Sequence, residues 1–415
     1  MRITIFLNQF SLGGTEKAAA RWARGLRERG HDLHVLALED GPRRQEFENY
    51  GIEVHLAPVD AETIREKLET LQPDVIHAHV PGHPHKGDIL GDALSLLPKI
   101  PVLSTNIFGR FDNPREDRWT DFRLFISWTS CVQAARRSFR RLDQNFFRHA
   151  SVASYPLDPD DGPAREEIAA FRESLGVASD EVLLGRLSRP EPNKWTDLSL
   201  EAFRFATKRS TKIKLLLREP PRAIARQLES ALDHDRFIIL PATSDPLELR
   251  LTMASLDVVL HTSSIGESFG YGIAEPMNYG KPVIVNSTPW QDQAQIELVR
   301  HAECGIVAST PATTARAILQ LANDEELRAK LGAAARTHIR QLAEPRESTD
   351  RLEIALQAAL SKGENPFAKE DLKKARAAAK YLDEQQFGQT WGEQLALRPF
   401  HCRVRFHELR HALVR

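Results

Sequence analysis

The chain of 415 residues carries 56 Lys and Arg against 57 Asp and Glu, a formal net charge of -1, and is 41% hydrophobic. That length suits two or three domains, and the charge balance gives no general electrostatic drive toward nucleic acid. Cys131, Cys304 and Cys402 are widely spaced with no C-x-x-C, which argues against a disulfide framework or a cysteine zinc site; with no apolar run near ~20 residues and an opening apolar stretch too short for a signal segment, the expectation is a cytoplasmic protein, soluble or peripheral.

Residues 3–7 read as a buried strand, followed by a Ser11-Leu12-Gly13-Gly14 loop, with Thr15 expected to cap an Ala- and Arg-rich helix that ends at Gly30. Strand-like runs recur at 33–38, 53–56, 75–78 and 102–105 with helical or polar stretches between them, the pattern of a parallel α/β sheet. Ser130 precedes a basic helix expected from about Val132, with Val132, Ala135, Phe139 and Leu142 on a stripe and Arg136, Arg137, Arg140 and Arg141 beside it. Two readings stay open there: a stripe packed into the core, or a helix resting on an anionic membrane.

Pro159-Asp160-Asp161-Gly162-Pro163 reads as a linker. A second alternation follows, with strands near 182–185, 213–217, 237–240, 258–261, 283–285 and 305–308, then helical patterns from 311 to about 362. Gly363, Asn365 and Pro366 mark a break before a tail with a Lys/Ala-rich helix, Trp391, Leu395, Leu397, Phe400 and a basic end. The expected domains are 1–158 and 164–345, both Rossmann-like, then a helix at 346–362 crossing back to the first and an extension at 363–415.

The segment 257–285 carries the most chemistry. A buried strand ends in small hydroxyl residues, and a Gly-punctuated turn opens a helix that bears Glu275, with Glu267 at its mouth and seven residues between the carboxylates. At about 1.5 Å of rise per helical residue the two stand on the order of 10 Å apart, far enough for one to meet a sugar and the other a ribose. Ser268, Phe269, Gly270, Tyr271 and Gly272 offer backbone N–H groups where a helix N-terminus favours phosphate. Two Glu at this spacing recur by chance in an acidic-rich chain; the strand, turn, helix and strand around them give the pair its meaning.

This frame resembles the E-x7-E element of the retaining GT-B glycosyltransferases, in particular the GT4 family. Gly185-Arg186-Leu187 with Pro190, Pro192 and Lys194 resembles the family's G-R-L-x-x-x-K-G element, with a longer loop and Trp195 where Gly is common. Gly13-Gly14-Thr15-Glu16 resembles the G-G-x-E loop, and 287–295 resembles a T-P-W-x-D-N-A-Q variant, for which either a role in shaping the nucleotide pocket or a capped helix start with a packing Trp fits. His77 and His79 alternate along a strand and so share a face, with His83 and His85 close behind; His79 is the better match to the family histidine that approaches the sugar. Asn106 stands where relatives often have His-Gly or His-Asp, and either an acceptor contact or a turn role fits it. Asp158-Pro159-Asp160 spells D-x-D but lies in the linker, not after a strand.

The resemblance covers residues 1–360 and implies an α/β GT-B architecture, two Rossmann-like domains facing across a cleft with a C-terminal helical extension. It implies transfer, with retention, from a UDP-, GDP-, ADP- or dTDP-linked sugar to an acceptor hydroxyl, on a glycan or lipid-linked glycan. In that reading Glu267 orients donor hydroxyls, Glu275 holds the ribose, Arg186 and Lys194 stabilise the leaving diphosphate, Gly13 and Gly14 approach the donor, and His79 supports the sugar. No metal or other cofactor is required. A nucleotide-sugar epimerase of similar fold and a non-catalytic glycan- or protein-binding module are the alternatives; base, sugar, acceptor and oligomeric state are not legible.

Overall fold

Runs rich in Val, Ile and Leu form thirteen strands among the described residues, which in this computed structural model are 1–81, 88–191, 194–289, 291–386, 393–395 and 397. They fall into two units: Met1–Asp158 with Ala343–Lys380, and Pro159–Leu342 with the described part of Tyr381–Leu409. The first unit holds β1 (Arg2–Leu7), β2 (Asp32–Ala37), β3 (Glu53–Leu56), β4 (Val75–Val80), β5 (Val102–Asn106), β6 (Phe122–Phe125) and β7 (Ala150–Val152), all parallel, in the order β3-β2-β1-β4-β5-β6-β7. The second holds β8 (Val182–Leu187), β9 (Ile213–Arg218), β10 (Phe237–Leu240), β11 (Val258–His261), β12 (Val283–Val285) and β13 (Gly305–Val307), also parallel, in the order β10-β9-β8-β11-β12-β13.

Strands such as β4 and β11 are buried at every residue, which parallel sheets require because helices cover both faces. In each sheet the order reverses once, between β1 and β4 and between β8 and β11. Doubly wound sheets bind ligands beyond the carboxyl ends of the strands at such a reversal. Both units are therefore Rossmann-like, and each has one topologically favoured place for a ligand.

Several elements differ from expectation. The first helix runs Gly14–Glu28 with Gly13 at its cap and no side-chain cap bond, so Thr15 lies inside it. The basic helix is Trp128–Arg137, opened by a capping box between Ser127 and Ser130, one turn earlier than the apolar pattern suggested. It stops at Arg137, and Phe139, at φ +58, turns away 39% exposed, so it is not on the buried stripe. Arg140 then donates to Asp117 and lies over the Phe111 ring at 4.1 Å. β6 and β7 had no counterpart in the sequence reading. The stretch 311–362 is three helices, Pro311–Asn323, Glu325–Leu342 and Pro345–Ser361, the last packed on Gly14–Glu28, where Trp22 Nε1 donates to Ser348 Oγ at 2.8 Å.

The linker residue Asp160 is pinned by Arg250 at 2.7 Å and by the Tyr279 hydroxyl at 2.5 Å, while Asp158 pairs with Arg24. The two carboxylates of the D-x-D sequence thus have separate cationic partners. Cys131 and Cys304 are buried, and no described helix is long and apolar enough to cross a membrane. His83, His85, Trp290, Trp391, Phe400, Cys402 and the basic end lie outside the described residues.

Candidate active site

Arg186 lies on the carboxyl half of β8, inside the strand and not in the turn after it, since the next helix begins only at Asp197. Its side chain is fully buried. One terminal nitrogen donates to the Lys194 carbonyl, the guanidinium lies 4.6 Å over the Trp195 ring, and Nε and Nη1 have no partner among the described residues. Burial pulls its pKa down to about 9, with the charge of Glu267 opposing. It remains a cation at neutral pH.

Glu267 stands beside it. Its Oε1 accepts from Lys194 Nζ at 2.7 Å and lies 3.0 Å from His261 Nε2, at the end of β11. Burial alone would raise the carboxyl pKa, but Lys194 and His261 outweigh it and hold the group at about 2. The ammonium of Lys194 has three N–H groups; one meets Glu267 and another leans on the Gly266 carbonyl at 3.4 Å. The β8–β11 reversal thus carries Arg186, Lys194, Glu267 and His261 in one cluster.

The loop holding Glu267 is braced from behind. Gln295 Oε1 accepts from Glu267 N at 2.9 Å, Ala294 N donates to Glu267 O at 2.8 Å, and Gln295 Nε2 donates to Thr288 Oγ1 at 2.8 Å. Asn286 clamps Ser263 through both of its amide atoms, at 2.8 and 2.9 Å. Gly266 has φ +66, and a Cβ there would come 1.8 Å from the Asp292 carbonyl, so only glycine fits. This places 287–295 behind the carboxylate.

The helix that follows is Tyr271–Asn278, capped by Gly270 at φ +99 with no side-chain cap bond. Glu267 therefore precedes the helix by a turn of irregular chain, and helical rise does not set the whole spacing to Glu275. Phe269 and Tyr271 are buried with their rings 5.1 Å apart, edge to face. A Cβ on Gly272 would approach the Leu187 carbonyl to 2.9 Å, which keeps the helix start close to the end of β8. Glu275 is half-buried on this helix, and Ser268 precedes Gly270.

In the first unit, His77 and His79 do share a face, their rings 4.4 Å apart and both buried beside Trp22. His77 Nε2 meets Thr105 Oγ1 at 2.7 Å, whereas neither His79 nitrogen has a partner among the described residues. Burial pushes the His79 pKa down to about 3 and that of His77 well below its ordinary value, so both are neutral. The Glu16 carboxylate folds over Gly13, where a Cβ would stand 2.4 Å from it. The Asn106 amide donates to the Arg110 carbonyl at 2.6 Å and accepts from Arg110 N at 3.1 Å, the contacts of a turn residue.

Two family models match this sequence, Glycosyl transferases group 1 over residues 167–338 and Glycosyl transferase 4-like domain over 13–177, together taking in most of the chain. The chain is a GT4-like glycosyltransferase of GT-B fold. Its fold is similar to that of HepE from Anabaena, solved with UDP and glucose, at TM-score 0.72 and 18% identity, covering 86% of this chain and 100% of that one. A glycosyltransferase of Rickettsia africae superposes at TM-score 0.71 and 16% identity, covering 87% and 99%. WaaG, involved in lipopolysaccharide biosynthesis, does so at 0.62 and 14%, covering 84% and 98%. No curated protein matches in sequence.

Within this glycosyltransferase, the sequence pattern assigns no role to His261, and Trp195 reads there only as a departure from glycine, whereas its ring lies beneath Arg186. A polar residue ending a strand, as His261 ends β11, was the one available signal.

Proposed function

We propose that this glycosyltransferase transfers a sugar from a nucleoside-diphosphate sugar to an acceptor hydroxyl with retention and without a catalytic metal. The observation that carries the reading is Arg186: a fully buried guanidinium with Nε and Nη1 unpartnered, at the ligand-binding edge of its sheet and next to ionised Glu267. Unpaired buried donors are costly, and diphosphate oxygens are the partners a guanidinium fork suits.

In the reaction, the bond from the anomeric carbon to the diphosphate oxygen breaks as the acceptor oxygen bonds to the same face. The leaving phosphate takes the acceptor proton, so no separate base is needed. Charge grows on the diphosphate as the bond breaks, and Arg186 with Lys194 stabilises it most at that point. Glu267, kept ionised and oriented by Lys194 and His261, accepts from donor hydroxyls, and Glu275 accepts from the ribose. Ser268 to Gly272 direct backbone N–H groups at the phosphates, Gly13 and Gly14 allow close backbone approach, and His79 supports the sugar. HepE has been solved with UDP-glucose, which supports a nucleotide-sugar donor here; the acceptor class proposed is a glycan or lipid-linked glycan.

The test is a transfer assay with product NMR. Wild type should yield a product of the donor's anomeric configuration and keep its initial rate in chelator, and Arg186→Ala should lower kcat by about 100-fold or more. Inversion at the anomeric carbon, or an isomerised donor formed with no acceptor present, would overturn the reading.

A further inference from the structure

We propose that His34, Glu53 and His55 bind a divalent transition metal of the zinc type at the outer edge of the first sheet. β2 pairs with β3 in the register His34 to Glu53 and Leu36 to His55, and residues opposite or two apart in neighbouring strands project to one face. One potential ligand atom from each residue lies within 4.8 Å of the others. The Glu53 carboxylate spans the two rings, Oε2 standing 3.5 Å from His34 Nδ1 and Oε1 3.5 Å from His55 Nε2. Both nitrogens are buried and have no hydrogen-bond partner among the described residues. The ring centroids are 5.6 Å apart.

Zinc–nitrogen bonds of about 2.0–2.1 Å put tetrahedral ligand atoms about 3.4 Å apart. Each imidazole nitrogen already stands near that spacing from one oxygen of Glu53, though not the same oxygen. Closure needs the Glu53 side chain, 66% exposed and able to turn, to bring one oxygen to both rings, and the ring nitrogens to settle from within 4.8 Å of each other. Behind His34, Asp32 presents Oδ1 to Nε2 at 3.5 Å while Arg2 Nε holds Oδ2 at 2.9 Å. A carboxylate placed there fixes the tautomer that leaves the Nδ1 lone pair for a metal.

Two imidazoles and one carboxylate with a fourth position for water suit zinc and not magnesium, which prefers an all-oxygen octahedron. His34 and Glu53 lie near the starts of their strands, away from the carboxyl edge where ligands of such sheets bind. The metal would tie the four-residue edge strand β3 to β2, a structural role independent of sugar transfer and of any metal need in that reaction.

The probe is Zn²⁺ alone, titrated calorimetrically into full-length protein freed of metal with chelator, followed by thermal melts. One Zn²⁺ per chain should bind and raise the melting temperature, with no response to Mg²⁺. His34→Ala and His55→Ala should each abolish saturable binding, Asp32→Asn should weaken it about 10-fold or more, and His79→Gln should bind as wild type. Glu53→Gln, at an exposed position that the fold tolerates, should also lose it. Absence of saturable binding in wild type, or binding unchanged in the His34→Ala/His55→Ala double variant, would overturn the site.

Discussion

The Glu267 carboxyl titrates near 2, and that value is a statement about stability as well as charge. Because its folded pKa is depressed, its contribution is complete above the ordinary carboxylate value of 4.5 and is lost as pH falls from there through about 2. The buried histidines act in a higher window. A His79 pKa near 3 in the folded chain against 6.5 when unfolded means that acid favours unfolding progressively below 6.5, by about 2 kcal/mol at pH 5 for this one group. His79→Phe should therefore make the pH dependence of stability shallower from 6.5 down to about 3, measured by denaturant melts across pH, and leave below 4.5 the part of the drop that Glu267 contributes. An unchanged slope would show that His79 is not the cause. Glu267→Gln should remove about 2 kcal/mol, because the Lys194 ammonium loses its charged partner, and lower transfer about 100-fold. Arg186, Lys194 and Glu267 were legible from motif and spacing. His261 was not, and Gln295 only as the end of the 287–295 segment and not as the brace of Glu267, since a six-residue or longer excursion through a loop decides what they touch, and no periodicity encodes that.

At the scale of elements, apolar runs announced themselves and interrupted ones did not. β10, β11 and β12 fall where the Val- and Ile-rich runs predict, whereas β6 reads Phe-Arg-Leu-Phe and β7 is three residues long. Arg123 broke the pattern in β6, yet it is buried there by ion pairs with Glu116 and Asp117 and by the Phe111 ring at 4.6 Å. Helix starts were shifted too: Thr15 is a sound N-cap type yet lies inside Gly14–Glu28, and the helix expected from about Val132 begins at Trp128, behind the capping box of Ser127 and Ser130. The loop before Tyr271–Asn278 depends on Gly266. Gly266→Ala should cost about 1–2 kcal/mol for its left-handed backbone alone, and the collision with Asp292 should shift Glu267, seen as loss of transfer exceeding the loss of stability. In the first unit, Ser348→Ala leaves the Trp22 indole N–H buried without a partner and should destabilise that unit by about 1–3 kcal/mol, checked by denaturant unfolding; a neutral result would mean that water replaces the hydroxyl.

Across the whole molecule, two alternations of strand and helix were readable because each Rossmann-like sheet repeats the same burial rule. The single reversal in each strand order was not readable from periodicity, and it is what brings β8 beside β11 and so Arg186 beside Glu267. Binding of a nucleoside-diphosphate sugar at that reversal is the claim on which the functional reading rests. A thermal-shift panel of UDP-, GDP-, ADP- and dTDP-linked sugars tests it most directly, because a ligand at 100 times its Kd adds about 2.7 kcal/mol to the folded state. At least one donor should raise the melting temperature of wild type and fail to do so for Glu275→Ala. If no donor shifts wild type, or if Glu275→Ala responds equally, the nucleotide-sugar site is not where this account puts it.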